Sequence, residues 1–300
     1  MSLIEAIPNV SEGRRTDAVQ TMAQALTHRA HSWLLDTHSD ASHHRSVITA
    51  ALAPEAIVEA SCALVQQCVN LIDLNRHEGV HPRMGALDVL PFVPLRGFPA
   101  NDTIELARSV ASELARRFGI PIFLYGRAAT RERAPALHEL RRGGLVALQK
   151  RLDSGELVPD YGPRRLHRTA GATAVGVRDF LIAYNIALKT TDVGIARAIS
   201  RAVRESSGGL PAVQALGMAL PHRDLVQVSM NLTDLRRTSL KEVFDAVRNE
   251  ADALQIEIDH SEIVGLIPAH TAFDDIVTAL RLEKKPGILE ERLKAVGAAT

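Results

Sequence analysis

The clearest chemical motif in the sequence is a pair of histidines four residues apart, His77 and His81, with Glu78 between them. The spacing matches H-E-x-x-H, in which a helix brings both imidazoles to one zinc ion and the glutamate activates the metal-bound water. Here Gly79 lies inside the motif and Pro82 follows it directly. Because the residue before a proline is driven toward extended backbone, the context favours a loop. A zinc hydrolase therefore stays a minor alternative.

The segments on either side of this loop alternate between strand and helix patterns. Short apolar runs predict strands, and apolar residues at helical spacing predict helices. In the first half we expect strands at residues 3–10, 33–36, 46–53, 87–95 and 120–125, and helices at residues 17–29, 54–74 and 101–118. In the second half we expect strands at residues 180–187, 213–218, 225–232, 256–258 and 263–267, and helices at residues 192–204 and 240–254. Asn101 is expected to cap its helix.

The helices are too few and too irregular for a long doubly wound array. Residues 127–173 are polar and rich in arginine, glycine and proline, which predicts surface loops and short helices. We therefore predict the α/β class, as two small α+β sandwiches of ferredoxin-like type, each with a sheet and helices on one face. The boundary is expected near Val177, which gives subdomains 1–177 and 178–300. The ligand site is expected in the groove between them.

Composition limits the classes of partner. The chain has 300 residues, with 35 Lys+Arg balancing 35 Asp+Glu. Since no overall field attracts nucleic acid or an anionic membrane, an anionic ligand has to be held by a local site. A secretory signal and an apolar stretch of about 20 residues are both missing, which predicts a soluble, cytoplasmic protein. Cys62 and Cys68 share one apolar helical stretch and are expected to be buried, unpaired thiols.

Several longer phrases are more specific than the isolated motif. The phrase that begins at His77 reads HEGVHPRMGALDVLPFVPL; IPNVSEGRR lies before it, and PIFLYGRAA, PDYGP and GATAVGVRDFLIAYNIAL lie after it. QVSMNLTD and SEIVGLIP follow in the second half. Together these phrases, in order over about 270 residues, resemble the glutamate formimidoyltransferase family.

The resemblance implies a reaction and its partners. Members of this family move a formimidoyl group between 5-formimidoyltetrahydrofolate and L-glutamate in histidine degradation. The resemblance implies tetrahydrofolate as carrier and co-substrate, no metal, and a homodimer. Some members carry a fused cyclodeaminase. Because this chain ends soon after the transferase region, we expect that second activity to be absent.

The resemblance also assigns roles within HPRMG and the preceding loop. His81 takes the position of the catalytic histidine, which would accept a proton from the amine and give one to N5 of tetrahydrofolate. Asp40 is the candidate for orienting and charging that imidazole, although it could equally close an Asx turn. Arg45 and Arg83, which adjoin these motifs, are the candidate clamps for a carboxylate of glutamate or of the pteroate tail, because guanidinium binds carboxylate through two parallel hydrogen bonds. A solvated surface role is the alternative for each.

A basic loop matches the stretch that binds folate in the family. Glycines at both ends permit close backbone approach, and the arginines suit an anionic polyglutamate tail. The alternative is an exposed basic linker. The candidate folate-binding residues are Gly162, Pro163, Arg164, Arg165, Leu166, His167, Arg168, Thr169, Ala170 and Gly171.

The sequence departs from the family pattern in the candidate site loops. His38 stands where fused members have an acidic residue, His44 stands where an asparagine is usual, and Arg127 replaces a residue that is often acidic. These changes leave the substrate open more than the fold. Transfer of a formyl group on the same scaffold is the main alternative, and a non-catalytic folate-binding protein is another.

Overall fold

The computed structural model describes residues 1–95, 97–131 and 134–298. The chain divides into two compact units. The first comprises Met1–Arg178 together with Val296–Ala298, and the second comprises Asp179–Ala295. No helix among the described residues is long and apolar enough to cross a membrane.

The first unit alternates strands and helices, with short helices near its end. Its strands are β1 (Ile4–Ala6), β2 (Asn9–Val10), β3 (Ser32–Asp40), β4 (Arg45–Leu52), β5 (Leu87–Pro94), β6 (Ile122–Gly126) and β7 (Thr173–Val177). Its helices are α1 (Thr16–Thr27), α2 (Ile57–Leu71), α3 (Ala100–Phe118), α4 (Leu137–Leu140) and α5 (Gly144–Asp153), with a 3-10 turn at Pro54–Ala56 before α2.

These strands form one mixed sheet. Strands β1 and β2 together occupy one strand position in the sheet, between β4 and β5. Strand β3 pairs with the other edge of β4. This antiparallel β-α-β-β-α-β arrangement is ferredoxin-like. Beyond β5 the sheet continues with β7 and then β6, both joined in parallel pairings. The sheet thus carries a parallel extension that a plain ferredoxin-like unit lacks.

Both faces of the extension are covered. Ile122 and Leu124 of β6 belong to the core under α1, α2 and α3, whereas Phe123 belongs to a second cluster with Leu148 and Leu152 of α5. Because neighbouring strand residues point to opposite faces, α5 lies on the side away from the first three helices. The expectation of helices on one face is therefore wrong for this unit. Strands β5 and β7 are buried almost throughout, as parallel strands between two layers are.

The second unit is a smaller ferredoxin-like sandwich. Its elements are β8 (Ile182–Leu188), α6 (Val193–Val203), β9 (Val213–Leu220), β10 (Leu225–Leu232), α7 (Leu240–Ala253), β11 (Ile258–Val264), β12 (Leu266–Ile267), α8 (Ile276–Ala279), β13 (Gly287–Ile288) and α9 (Leu289–Ala295). The antiparallel sheet has the order β11-β8-β10-β9, and it supports the two longer helices α6 and α7. The predicted fold class, two ferredoxin-like sheet-plus-helix subdomains, is confirmed.

Local signals account for most boundaries and fail at a few. Asp192 caps α6 through Gly194 N–H, and Ser239 forms a capping box at the start of α7. The predicted Asn101 cap is wrong, because α3 begins one residue earlier, after Pro99 in extended conformation. Asn101 therefore lies inside the first turn. Strand β7 was not among the predicted strands, because it falls at the end of the polar stretch.

Candidate active site

The turn between β3 and β4 carries several candidate functional side chains, and two glycines allow neighbouring backbone to pack closely against it. A Cβ atom on Gly13 would lie 2.2 Å from the carbonyl oxygen of Asp40 and 2.6 Å from the backbone nitrogen of Arg45. A Cβ atom on Gly79 would lie 2.5 Å from the carbonyl oxygen of His43. Any larger side chain would displace the backbone at these points. The glycines of the SEG and HEG phrases therefore hold the turn against its neighbours.

The HEGVH segment is a loop bonded to this turn, as its glycine and following proline predict. Val80 N–H donates to Ser42 O at 3.2 Å, and His77 Nε2 donates to the carbonyl oxygen of His44 at 3.0 Å. The helix that H-E-x-x-H zinc sites require is not formed here. Among the described residues no group of three potential metal ligands was found.

Behind the turn, His44 links two acceptors. Its Nε2 lies 3.1 Å from Oε1 of Glu12, and its Nδ1 lies 2.8 Å from the carbonyl oxygen of Glu78. Burial opposes ionisation of Glu12, but hydrogen bonds from Arg15 and its backbone neighbours lower the pKa of that carboxyl to about 2. The ring of His44 also stacks on His77, with centroids 4.1 Å apart. Burial, with the nearby Arg83 charge, lowers the pKa of His77 to about 4. His77 is therefore a neutral, structural histidine at neutral pH.

His81 is half-buried and its tautomer is fixed by one contact. Nδ1 lies 2.7 Å from the carbonyl oxygen of Pro82. Because a carbonyl oxygen only accepts, Nδ1 carries the proton and donates it, and Nε2 of the neutral ring keeps its lone pair. A histidine in this state can act as a base through Nε2.

A buried carboxylate with two arginines lies beside this histidine. Asp88 Oδ2 accepts from Arg45 Nη1 and from Arg141 Nη2, each at 2.6 Å, and Asp88 Oδ1 accepts from Met84 N–H at 2.7 Å. The side chain of Asp88 is 0% exposed, and those of Arg45 and Arg141 are 11% and 13% exposed. Two positive charges face one negative charge, so the cluster keeps a net charge of +1 in a poorly solvated place. Such a cluster attracts an anion.

The same cluster sets the protonation of the histidine. Burial, followed by the charges of Arg45 and Arg141, holds the pKa of His81 well below its ordinary value. Arg45 is largely occupied within the protein, because Nη2 and Nε also donate to Asn9 Oδ1 at 2.9 and 3.2 Å. Arg141 is the freer guanidinium: its buried Nε has no hydrogen-bond partner among the described residues.

Asp40 lies at the end of β3, and its carboxylate contacts His43. Oδ1 accepts the backbone N–H of His43 at 2.7 Å, and Oδ2 lies 3.1 Å from Nδ1 of the same residue. Burial opposes ionisation, but these contacts lower the pKa of Asp40 to about 2. The ring of His43 stands edge to face against His81, with centroids 5.9 Å apart. The first contact has the Asx-turn form. The carboxylate bonds His43, whose ring lies against His81, so the role of Asp40 in orienting and charging His81 stays a prediction.

Arg83 uses two of its donors within the loop. Nη2 donates to the carbonyl oxygen of His77 at 2.6 Å, and Nη1 donates to that of Gly79 at 3.2 Å. These bonds close the segment that carries His81 and hold it in place. A carboxylate clamp at Arg83 would have to form with its remaining N–H groups.

The basic loop 162–171 ends against the segment that connects His81 to β5. Gly171 pairs with Gly85 in an isolated bridge, and a Cβ atom on Gly171 would lie 2.2 Å from the carbonyl oxygen of Met84. His167 and Gly171 exchange backbone hydrogen bonds of 2.9 and 3.0 Å, and Nδ1 of His167 accepts the N–H of Ala170 at 3.0 Å. The loop is therefore a defined turn beside the segment that follows His81. Eight of its ten residues, 162–169, are exposed or half-exposed, and Ala170 and Gly171 are buried.

Sequence reasoning missed three residues of this site. Asp88 had a signal, because a carboxylate inside the apolar phrase ALDVL must find a counter-charge when buried. His43 had only its place in a histidine-rich loop. Arg141 had none, because it stands in the arginine-rich middle and reaches Asp88 across 53 residues of chain.

Comparison with known proteins identifies the family. The N-terminal subdomain of the formiminotransferase domain matches residues 3–178, and the formiminotransferase domain matches residues 183–294. The chain is 38% identical to glutamate formimidoyltransferase of Streptococcus pyogenes serotype M1, covering 94% of each protein. It is 37% identical to that of Thermoplasma acidophilum, covering 98% of each. Identity to formimidoyltransferase-cyclodeaminase of Gallus gallus is 38%, covering 97% of this chain and 55% of that one.

Fold and site together define a two-subdomain α+β protein in which a neutral histidine lies beside buried arginines. The chain belongs to the formiminotransferase family, as the resemblance of its sequence phrases predicted.

Proposed function

We propose that this chain transfers a formimidoyl group between N-formimidoyl-L-glutamate and tetrahydrofolate, with His81 as the general acid and base. The observation that carries the proposal is the tautomer of His81: Nδ1 is held by Pro82 O, so Nε2 is available as the base. Two relatives that align over nearly the full length of both chains carry the name glutamate formimidoyltransferase.

In the direction of glutamate formimidoylation, an amine must attack the formimidoyl carbon. An ammonium group near the Arg45–Asp88–Arg141 cluster experiences net positive charge, which favours loss of its proton. Nε2 of His81 accepts that proton and then gives a proton to N5 of the folate as the C–N5 bond breaks. A low histidine pKa supports the first step, because the ring is already unprotonated at neutral pH.

The same cluster suits the carboxylates of glutamate. Arg141 has a buried donor without a partner among the described residues, and a substrate carboxylate can accept from it. Arg45 acts through its charge, because its donors are used by Asp88 and Asn9. We therefore assign direct carboxylate binding to Arg141 and, through its remaining donors, to Arg83.

The folate is assigned to the 162–171 loop. Arg164, Arg165 and Arg168 are exposed on a turn whose backbone is bonded to the strand following His81. Three cations on a rigid turn attract an anionic glutamyl tail, while the pteridine end lies nearer the histidine.

The decisive experiment mixes purified protein with tetrahydrofolate and N-formimidoyl-L-glutamate, and follows the folate absorbance. N-formyl-L-glutamate is the parallel donor. Turnover with the formimidoyl donor alone supports the proposal; turnover with the formyl donor alone replaces it with formyl transfer. Activity that is lost on chelation and restored by zinc would instead favour the hydrolase alternative.

A matched pair of variants tests the histidine. His81→Asn should lower kcat by about 10²-fold or more, because a general acid–base group is removed. His138→Asn makes the same substitution at an exposed histidine and should leave kcat unchanged. Near wild-type turnover in His81→Asn would refute the role of His81.

A further inference from the structure

His43 is a buried histidine without an assigned role. Its side chain is 8% exposed and is held at two points by one carboxylate, since Asp40 accepts both the backbone N–H and Nδ1–H of His43. Because Nδ1 carries the proton that bonds the carboxylate, Nε2 carries the lone pair.

That second nitrogen is buried and has no hydrogen-bond partner among the described residues. Burying an unpaired polar atom costs free energy, and such atoms in native proteins call for an explanation. The ring that carries it stands edge to face against His81, with centroids 5.9 Å apart. An Asp–His pair, with its acceptor nitrogen unused, thus lies next to the proposed base.

The proton balance of the proposed reaction requires more than one carrier. When tetrahydrofolate attacks N-formimidoyl-L-glutamate, a bond forms between N5 and the formimidoyl carbon, and the bond from that carbon to the glutamate nitrogen breaks. N5 loses one proton. The glutamate nitrogen carries one hydrogen in the donor and three in the ammonium product, so it gains two protons. The formimidoyl group is an amidinium on both sides, so one extra proton is taken up per turnover.

One histidine that moves a proton from N5 to the leaving nitrogen supplies only the first of these two protons. The second must come from water or from a group that water recharges. In the reverse direction the same group must accept the second proton of the ammonium.

We propose that His43, held by Asp40, is this second proton carrier, an inference that rests on the proposed formimidoyl transfer. The Asp40 carboxylate stabilises the imidazolium that forms when Nε2 takes up a proton. His81 then moves the proton between N5 and the glutamate nitrogen, and His43 supplies the additional one. The two histidines thus divide the two proton transfers.

The test uses His43→Ala and His43→Gln, with His138→Ala as the matched control. Glutamine can still donate to Asp40 but cannot carry a proton, whereas alanine leaves a space that imidazole can enter. We expect both variants to lower kcat by about 10²-fold, with the KM values for N-formimidoyl-L-glutamate and tetrahydrofolate within about twofold of wild type. Added imidazole should restore kcat at least about tenfold in His43→Ala, and should change neither His43→Gln nor the control.

Each outcome decides. Wild-type kcat in His43→Gln, or a slow His43→Ala that imidazole does not restore, reduces His43 to a structural support and overturns the inference alone. If His43→Ala does not fold, the kcat of His43→Gln decides by the same criterion. A wild-type protein inactive with the formimidoyl donor overturns the proposed function, and the inference with it.

Discussion

Removing the charge of Asp88 should destabilise the first unit more than any other single carboxylate-to-amide change in the site. Its side chain is fully buried and bonds Arg45, Arg141 and Met84 N–H. In Asp88→Asn two buried guanidinium groups face each other without a counter-charge. Breaking a buried ion pair by removing one member costs about 3–5 kcal/mol. Because Asn9 still accepts from Arg45, we expect the lower end, about 3 kcal/mol.

The free energy of unfolding can be measured through the fluorescence of the single tryptophan. Trp33 lies in β3, in the same sheet as Asp88, so its fluorescence during urea unfolding reports on this unit. Asp102→Asn is the matched control: Asp102 is exposed in the first turn of α3, and its loss should cost below about 1 kcal/mol.

A double variant separates charge from packing. Asp88→Asn combined with Arg141→Gln leaves one guanidinium, and so returns the cluster to the net charge of +1 that it has in the wild type. The double variant should therefore be more stable than Asp88→Asn alone, by about 1 kcal/mol or more. An Asp88→Asn protein within about 1 kcal/mol of wild type, or a double variant less stable than the single one, would refute the buried-charge account.

Three further predictions follow from the site. The acidic limb of the kcat/KM profile should lie below pH 6.5, the ordinary pKa of histidine, because His81 is kept unprotonated; Arg141→Gln should move that limb upward, since one of the charges that lower the pKa is removed. His77 is protonated near pH 6.5 in the unfolded chain but only near pH 4 in the folded chain, so the free energy of unfolding falls as the pH drops through that window. The expected loss is about 2 kcal/mol between pH 7.5 and 5, and urea unfolding of His77→Asn should show a smaller one. Neutralising the three loop arginines should raise the KM for polyglutamylated folate with little change in kcat, and this effect should weaken at high salt and with monoglutamylated folate. Unchanged KM values would show that the loop is only an exposed linker. The three substitutions are Arg164→Gln, Arg165→Gln and Arg168→Gln.

The cluster explains why a histidine with a depressed pKa suits this chemistry. A base that is already neutral needs no prior loss of a proton at physiological pH, and the neighbouring positive charge favours the neutral form of the incoming amine. A histidine with a lowered pKa is also a weaker base, so a second proton carrier, a histidine paired with a carboxylate, is useful beside it. In our proposal, Asp40 and His43, which are in contact on the adjoining turn, form that second carrier.

Local patterns in the sequence determined much of the fold. Helix α7 follows from the Ser239 cap and its apolar spacing, and β10 from the run Leu225–Leu232. Gly79 and Pro82 were enough to predict that HEGVH is a loop, because both act on the backbone within one or two residues. The resemblance of several phrases in order was enough to predict the family.

Tertiary structure alone decided which side chains meet. Asp88 bonds Arg45 and Arg141, which lie 43 and 53 residues away along the chain, and no periodicity records such a pairing. Asp40 contacts His43, three residues away, because the turn closes there, and that ring then lies against His81 on a separate loop. Charge pairing and proton affinity depend on distance and burial in space. Residue types and spacing along the chain therefore suggested the participants, and only the folded sheet determined their partners and protonation.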